Sequence, residues 1–239
     1  MENVILSAVF IGGATLFGSF LGGILGKRCE RHLGVILAFA AGVMLLAAIT
    51  GLILPSIEGV DVFGVLLSLI GIFVGGAVLW LTDRLSPLIS SESNARSALL
   101  FALAVAIHNL PEGIAAGIGY GAPDISAAVR VSFGIALHNI PEGMIVTVPL
   151  VSMGVKHRRA FLLAASGGIA EVIGSFIGYF ASRVAVILLP FTLAFAGGTM
   201  LYAICAELIP ESLICGRERA AFALILGLSV MLFICSFLN

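Results

Sequence analysis

AIHNLPEGIAAG, residues 106–117, sets a histidine, an asparagine, a proline and a glutamate inside an apolar run, and the polar core HNLPEG (108–113) returns as HNIPEG (138–143). Around these two hexapeptides the chain is greasy. Of its 239 residues 60% are hydrophobic and only 10% charged, with a mean hydropathy of +1.19. An ordinary soluble domain carries about a quarter charged residues. A soluble fold would have to hide nearly every segment in a core that a chain of this length cannot build. The composition therefore predicts an all-α membrane protein.

Runs long enough to cross a hydrocarbon core, about 20 residues each, fall at 4–26, 33–56, 62–82, 97–121, 126–152, 159–182, 186–210 and 219–238. Eight transmembrane helices in a single transmembrane domain, 1–239, are expected. The first run carries no Lys or Arg before Lys27 and is too long for a signal-peptide core, so it reads as a retained span. Ten of the twelve Lys and Arg sit in alternate loops: Lys27, Arg28 and Arg31; Arg84 and Arg96; Lys156, Arg158 and Arg159; Arg217 and Arg219. By the positive-inside rule these loops are cytoplasmic and both termini lie outside. In a bacterial cell that means a multi-pass protein of the inner membrane. The net charge of -1 gives no sign of a nucleic-acid partner, and four cysteines without a CxxC pair give no disulfide framework.

Sliding the chain by 156 residues aligns GSFLG (18–22) with GSFIG (174–178) and FAAGVML (39–45) with FAGGTML (195–201). One offset serves two helix pairs, and Gly71 and Val74 fall on Gly227 and Val230, so helices 1–3 read as a copy of helices 6–8. Corresponding helices are five spans apart, an odd number, which gives the two units opposite orientation. The expected architecture is 3+2+3, with inverted repeats around helices 4 and 5. Inverted repeats are common in secondary transporters, with the substrate site near the bilayer midplane.

On a helix His108, Asn109 and Glu112 project from one face, and His138, Asn139 and Glu142 repeat the pattern on the next. Pro111 and Pro141 remove backbone donors and bare the carbonyls of Ile107 and Leu137. A further carboxylate, Glu171, lies mid-helix 6, and Glu207 lies toward the cytoplasmic end of helix 7. Ionisable groups at such depth are costly and usually mark an ion or substrate path. Imidazole with carboxylate and amide oxygen suits Zn²⁺, Fe²⁺ or Mn²⁺ rather than Cu⁺. Met44, mid-helix 2, could add a thioether, although methionine more often fills gaps. Glu112 and Glu142 together neutralise one divalent ion, whereas two ions outweigh three carboxylates, so a binuclear site requires bridging glutamates. Plainer roles stand beside these: a membrane proline is often only a kink, and a membrane histidine often a satisfied hydrogen-bonder. Glu207 and Glu211, flanking Pro210, read equally well as a solvated helix end. Glycines four apart on helices 1, 4 and 6 read as tight-packing faces that would also permit sliding.

The eight spans with outside termini and the paired motifs HNLPEG and HNIPEG resemble the ZIP (Zrt/Irt-like) divalent metal transporters, in particular the short prokaryotic branch. The resemblance covers essentially the whole chain. It implies uptake of zinc, with iron, manganese, cobalt or cadmium as further substrates, into the cytoplasm. It also implies a first metal site of His108, Glu112, His138 and Glu142 with Met44, and a second of Asn109, Asn139 and Glu171 sharing both glutamates. The loop 83–96 lacks the histidine-rich tract of many relatives. An elevator-like motion of helices 1, 4, 5 and 6 against 2, 3, 7 and 8 is implied as well.

The expectation is thus a transporter of divalent metal ions, not an enzyme, with no bound cofactor and with the lipid bilayer and a second copy of the chain, in a homodimer, as partners. No GxxxxGK[ST] motif occurs, so gradients would supply the energy. An intramembrane metal-dependent hydrolase and a proton-coupled small-solute transporter are the alternatives.

Overall fold

The structure, a computed structural model, describes residues 1–30, 32–89, 106, 109–121, 125–152, 154–182 and 188–238. The described residues form eight helical rods and no strand. These are α1 (Glu2–Glu30), α2 (Leu33–Ile57), α3 (Val62–Ile89), α4 (109–119), α5 (Ser126–Ser152), α6 (His157–Ser182), α7 (Leu189–Cys215) and α8 (Arg217–Leu238). Seven of them are long and apolar enough to cross a membrane. The remainder of the fourth expected run, 97–121, lies largely outside the described residues.

Hydropathy predicted the rods but not all of their ends. α1 and α3 continue past their apolar runs, through Lys27 and Arg28 and through Asp83 and Arg84. Apolarity marks the hydrocarbon, whereas a helix stops only where its backbone hydrogen bonding does. Two rods also change pitch. α2 widens to a π-helix over Ala48–Ile53 before a short α turn at Leu54–Ile57. α7 does the same over Ile204–Leu208, followed by Ile209–Ser212 and a 3₁₀ turn, Leu213–Cys215. Pro55 and Pro210 stand just beyond the wide segments; each lacks an N–H and would crowd the carbonyl four residues back, and a widened turn relieves both.

Helices associate in parallel pairs whose contacts advance in step. α1 lies along α5, with Ser7 Oγ donating to Ser132 Oγ at 2.7 Å, Gly18 on Ile140 and Gly22 on Met144. α4 lies along α6, where Gly113 meets Glu171 and Gly117 meets Ser175. In the same way α2 runs with α8 and α3 with α7. α1 also crosses α6, with Gly12 on Gly168. The helices thereby form two groups, α1, α4, α5 and α6 in one and α2, α3, α7 and α8 in the other.

The groups meet across an apolar cluster that includes Met44, Ala48 and Leu52 from α2, Ala115 and Ala116 from α4, Ile135 and Ala136 from α5, and Met200 and Ile204 from α7. Two glycines touch this seam, Gly134 beside Met231 and Ala47 and Gly51 beside Val131, but the described glycines spaced four apart do not. Those of α1, α4 and α6 are used inside the first group, so the tight-packing reading of these residues holds and a sliding role between groups does not fit. Outward faces are apolar, with Phe63 and Phe73 on α3, Phe222 and Phe233 on α8, and Phe10 and Phe20 on α1 exposed.

The last residue of each hexapeptide is glycine for a measurable reason. A Cβ on Gly113 would stand 2.2 Å from the carbonyl oxygen of Glu171, and one on Gly143 2.2 Å from that of Thr15. Gly143→Ala or Gly113→Ala should therefore lower stability by about 1–3 kcal/mol through overpacking. Gly13→Ala, whose new methyl meets nothing within 4 Å, should leave it unchanged or slightly raised. Thermal unfolding of the purified variants checks this, and equal melting temperatures for Gly13→Ala and Gly143→Ala would contradict it.

Candidate metal centre

Two carboxylates and an imidazole converge where α4 meets α5. Glu112 (α4), His138 and Glu142 (α5) each offer one ligand atom, and all three atoms lie within 4.8 Å of one another. His138 Nε2 lies 2.8 Å from Glu112 Oε2 and 4.0 Å from Glu142 Oε2. A zinc ion with ligands at about 2.0–2.1 Å holds neighbouring donors about 3.4 Å apart, so only small adjustments separate this group from a metal shell.

The histidine's protonation pattern follows from its neighbours. Nδ1 lies 3.2 Å from the carbonyl oxygen of Gly134, which can only accept, so Nδ1–H is the donor. In the neutral ring Nε2 then turns a lone pair toward Glu112 Oε2. Two lone pairs at 2.8 Å need a proton or a cation between them. A backbone carbonyl orienting the ring from behind is the usual support of a metal-binding histidine.

Beside this group lies a second polar layer. Glu171 (α6) is fully buried, as are Asn109 and Asn139. Asn109 Nδ2 donates to Glu171 Oε1 at 2.8 Å and Asn139 Nδ2 donates to the same oxygen at 2.7 Å. Thr15 (α1) donates its hydroxyl across both carboxylate oxygens, 3.2 Å from Oε1 and 3.0 Å from Oε2. Asn139 Nδ2 also reaches the carbonyl of Ile11 at 3.1 Å. The amide oxygens of Asn109 and Asn139, though buried, have no hydrogen-bond partner among the described residues.

A cavity of about 490 Å³ leads to the centre. Its wall runs from His138, Gly134 and Val131 on α5, past Thr50 and Gly51 in the π segment of α2, to Pro55 and the exposed Glu58. Met231, Cys235 and Ser236 of α8 close the far side.

Of the expected site residues, Asn109, Glu112, His138, Asn139, Glu142 and Glu171 are thus brought into one buried polar cluster, and His108 lies outside the described residues. Met44 is buried in the apolar cluster at the seam, packed with the side chains of α2, α5 and α7. Glu207 and Glu211 are exposed at the far end of α7. Reading the motif alone missed Thr15 and the two π segments. The repeat held a signal for each: the 156-residue offset puts Thr15 opposite Glu171, and the π segments begin at Ala48 and Ile204, at the same offset.

Comparison with known proteins agrees with this geometry. The family model described as "ZIP Zinc transporter" matches residues 85–235. Zinc transporter ZupT of Chlorobaculum parvum is 34% identical over 93% of this chain and 94% of its own length. Zinc transporter GufA of Myxococcus xanthus is 40% identical over 63% of each chain. Human zinc transporter ZIP11 is 41% identical over 59% of this chain, a match that spans 43% of that protein. The match thus spans less than two thirds of GufA and less than half of ZIP11. The paired hexapeptides, the apolar rods and these matches agree: the chain is a multi-pass membrane protein and belongs to the ZIP zinc transporter family.

Proposed function

We propose that this protein imports divalent transition-metal ions, zinc foremost and iron, manganese, cobalt or cadmium as further cargo, from outside the cell into the cytoplasm. The observation that carries the reading is the buried Glu112–His138–Glu142 group at the end of the cavity that runs from Glu58. Relatives named as zinc transporters support a transporter rather than an enzyme.

In this reading Glu112, His138 and Glu142, with His108, hold the first ion, and Met44 stands at the seam as a further ligand of it. Asn109, Asn139 and Glu171 serve a second ion, with Glu112 and Glu142 bridging. Bridging is what the charge balance demands, since three carboxylates must serve two divalent cations. The ligand set has no resident cofactor; metal is the cargo.

The chain is read as one transmembrane domain of the inner membrane, both termini outside, forming a homodimer. Its 3+2+3 inverted repeat is supported by paired packing: Gly18 meets Ile140 as Gly174 meets Leu110, and Gly143 meets Thr15 as Gly113 meets Glu171. The division into two helix groups that meet at an apolar seam supports alternating access of the elevator kind, with the cavity at Glu58 opening to the outside.

Radioactive zinc uptake into liposomes holding the purified protein tests the reading. Wild type should load zinc, Glu112→Ala should fall to the protein-free background, and His138→Ala should lose at least about tenfold. Zinc uptake by Glu112→Ala at the wild-type rate would contradict it. Because imidazole and carboxylates bind metal only when deprotonated, zinc affinity should weaken as pH falls from neutral into the acidic range. Calorimetric titrations at several pH values would reveal this, and a flat profile would count against these ligands.

A further inference from the structure

The hydroxyl of Thr15 has no place in the ligand set, yet it is buried, 2% exposed, and aimed at Glu171. Its single proton spans the two oxygens of Glu171 at 3.0 and 3.2 Å. The groups that face Glu171 Oε1 from Asn109 and Asn139, at 2.8 and 2.7 Å, are the amide nitrogens, each donating. Both carboxamides are thereby held in one sense, with nitrogen rather than oxygen on Glu171 Oε1. Their oxygens are buried and without a hydrogen-bond partner among the described residues. A buried acceptor left so is costly unless something positive fills the place.

The backbones are locked as well. Gly143 seats α5 directly on the carbonyl of Thr15, and Gly113 seats α4 on that of Glu171. Each hexapeptide therefore docks, through its glycine, on the residue whose side chain helps to hold the asparagines.

We propose that Thr15 is a positioning residue: acting through Glu171, it fixes the orientation of both asparagine carboxamides so that Asn109 Oδ1 and Asn139 Oδ1 are presented to a second divalent ion. This rests on the metal-import reading above and adds a residue of α1 that touches no ion. Losing the hydroxyl frees the carboxylate to turn, and the amides then lose their common orientation. The first ion, held by Glu112, His138 and Glu142, keeps its ligands.

The test is calorimetric titration of the purified full-length protein with Zn²⁺ alone, for wild type, Thr15→Val, Thr15→Ser and Glu112→Gln, each with its melting temperature in the absence of metal. Wild type is expected to bind in two steps. Thr15→Val should weaken the second by about 10- to 100-fold, as loss of an outer hydrogen-bond partner does, while the first stays within about threefold. Thr15→Ser, which keeps the hydroxyl, should restore the second step whether or not Thr15→Val folds well. A Thr15→Val protein that loses stability yet binds both ions as wild type does would overturn the proposal and leave Thr15 a packing residue. A serine variant that fails to recover the second step, or a wild type that binds in one step, would overturn it too. Glu112→Gln separates the layers: loss of both steps there supports the import site whatever Thr15 does, and retention of both defeats that site itself.

Discussion

Three donor side chains on one buried carboxylate, Glu171, join four helices. Thr15 brings in α1, Asn109 α4 and Asn139 α5, while Glu171 itself stands on α6. A carboxylate in the middle of a membrane protein costs about several kcal/mol unless donors meet it. That requirement forces the four helices to cross at one depth. Cross they can, because the residues at their contacts are glycines: Gly12 against Gly168, Gly113 against Glu171, Gly143 against Thr15. Polar satisfaction and close backbone approach are thus one constraint met by one set of residues, and the candidate metal-ligand group sits on two of the helices so fixed, α4 and α5.

A second consequence is an uneven distribution of rigidity. Inside the first helix group the contacts are backbone on backbone, with hydrogen bonds between hydroxyls at Ser7–Ser132 and Ser19–Thr147. Across the seam to the second group they are side chains of alanine, leucine, isoleucine and methionine, which interlock without fixed polar partners. Apolar surfaces of this kind can repack at modest cost, whereas the clasp at Glu171 cannot be opened without leaving buried polar groups unpaired. His138 belongs to the first group and also lines the cavity beside α2 and α8, so the candidate ligand group stands in one helix group while the way to it runs along the seam.

Much of this was legible in the sequence. Seven of the eight apolar runs correspond to helices long enough to cross a membrane among the described residues, and the helix 126–152 has the bounds expected of it. The spacing of His138 and Glu142 at four residues, and the same motif on the preceding helix, led to the cluster that the structure contains. Hydropathy could not reveal the π segments, because widening a turn before Pro55 or Pro210 changes backbone pairing without changing polarity. Thr15 stayed hidden for another reason: a lone threonine in an apolar helix usually bonds its own backbone, and only its distant partner distinguishes it. Met44 illustrates the opposite case. Its position in the family pattern suggests a ligand, while its surroundings are an apolar cluster, and sequence carries no information about which of the two its sulfur serves.

The central claim is that cargo metal binds at Glu112, His138 and Glu142. X-ray absorption at the zinc edge of the metal-loaded protein, with and without His138→Ala, addresses it most directly. The account predicts nitrogen and oxygen scatterers at about 2.0–2.2 Å, with an imidazole contribution that shrinks in the variant. A spectrum that His138→Ala leaves unchanged would mean the metal sits elsewhere.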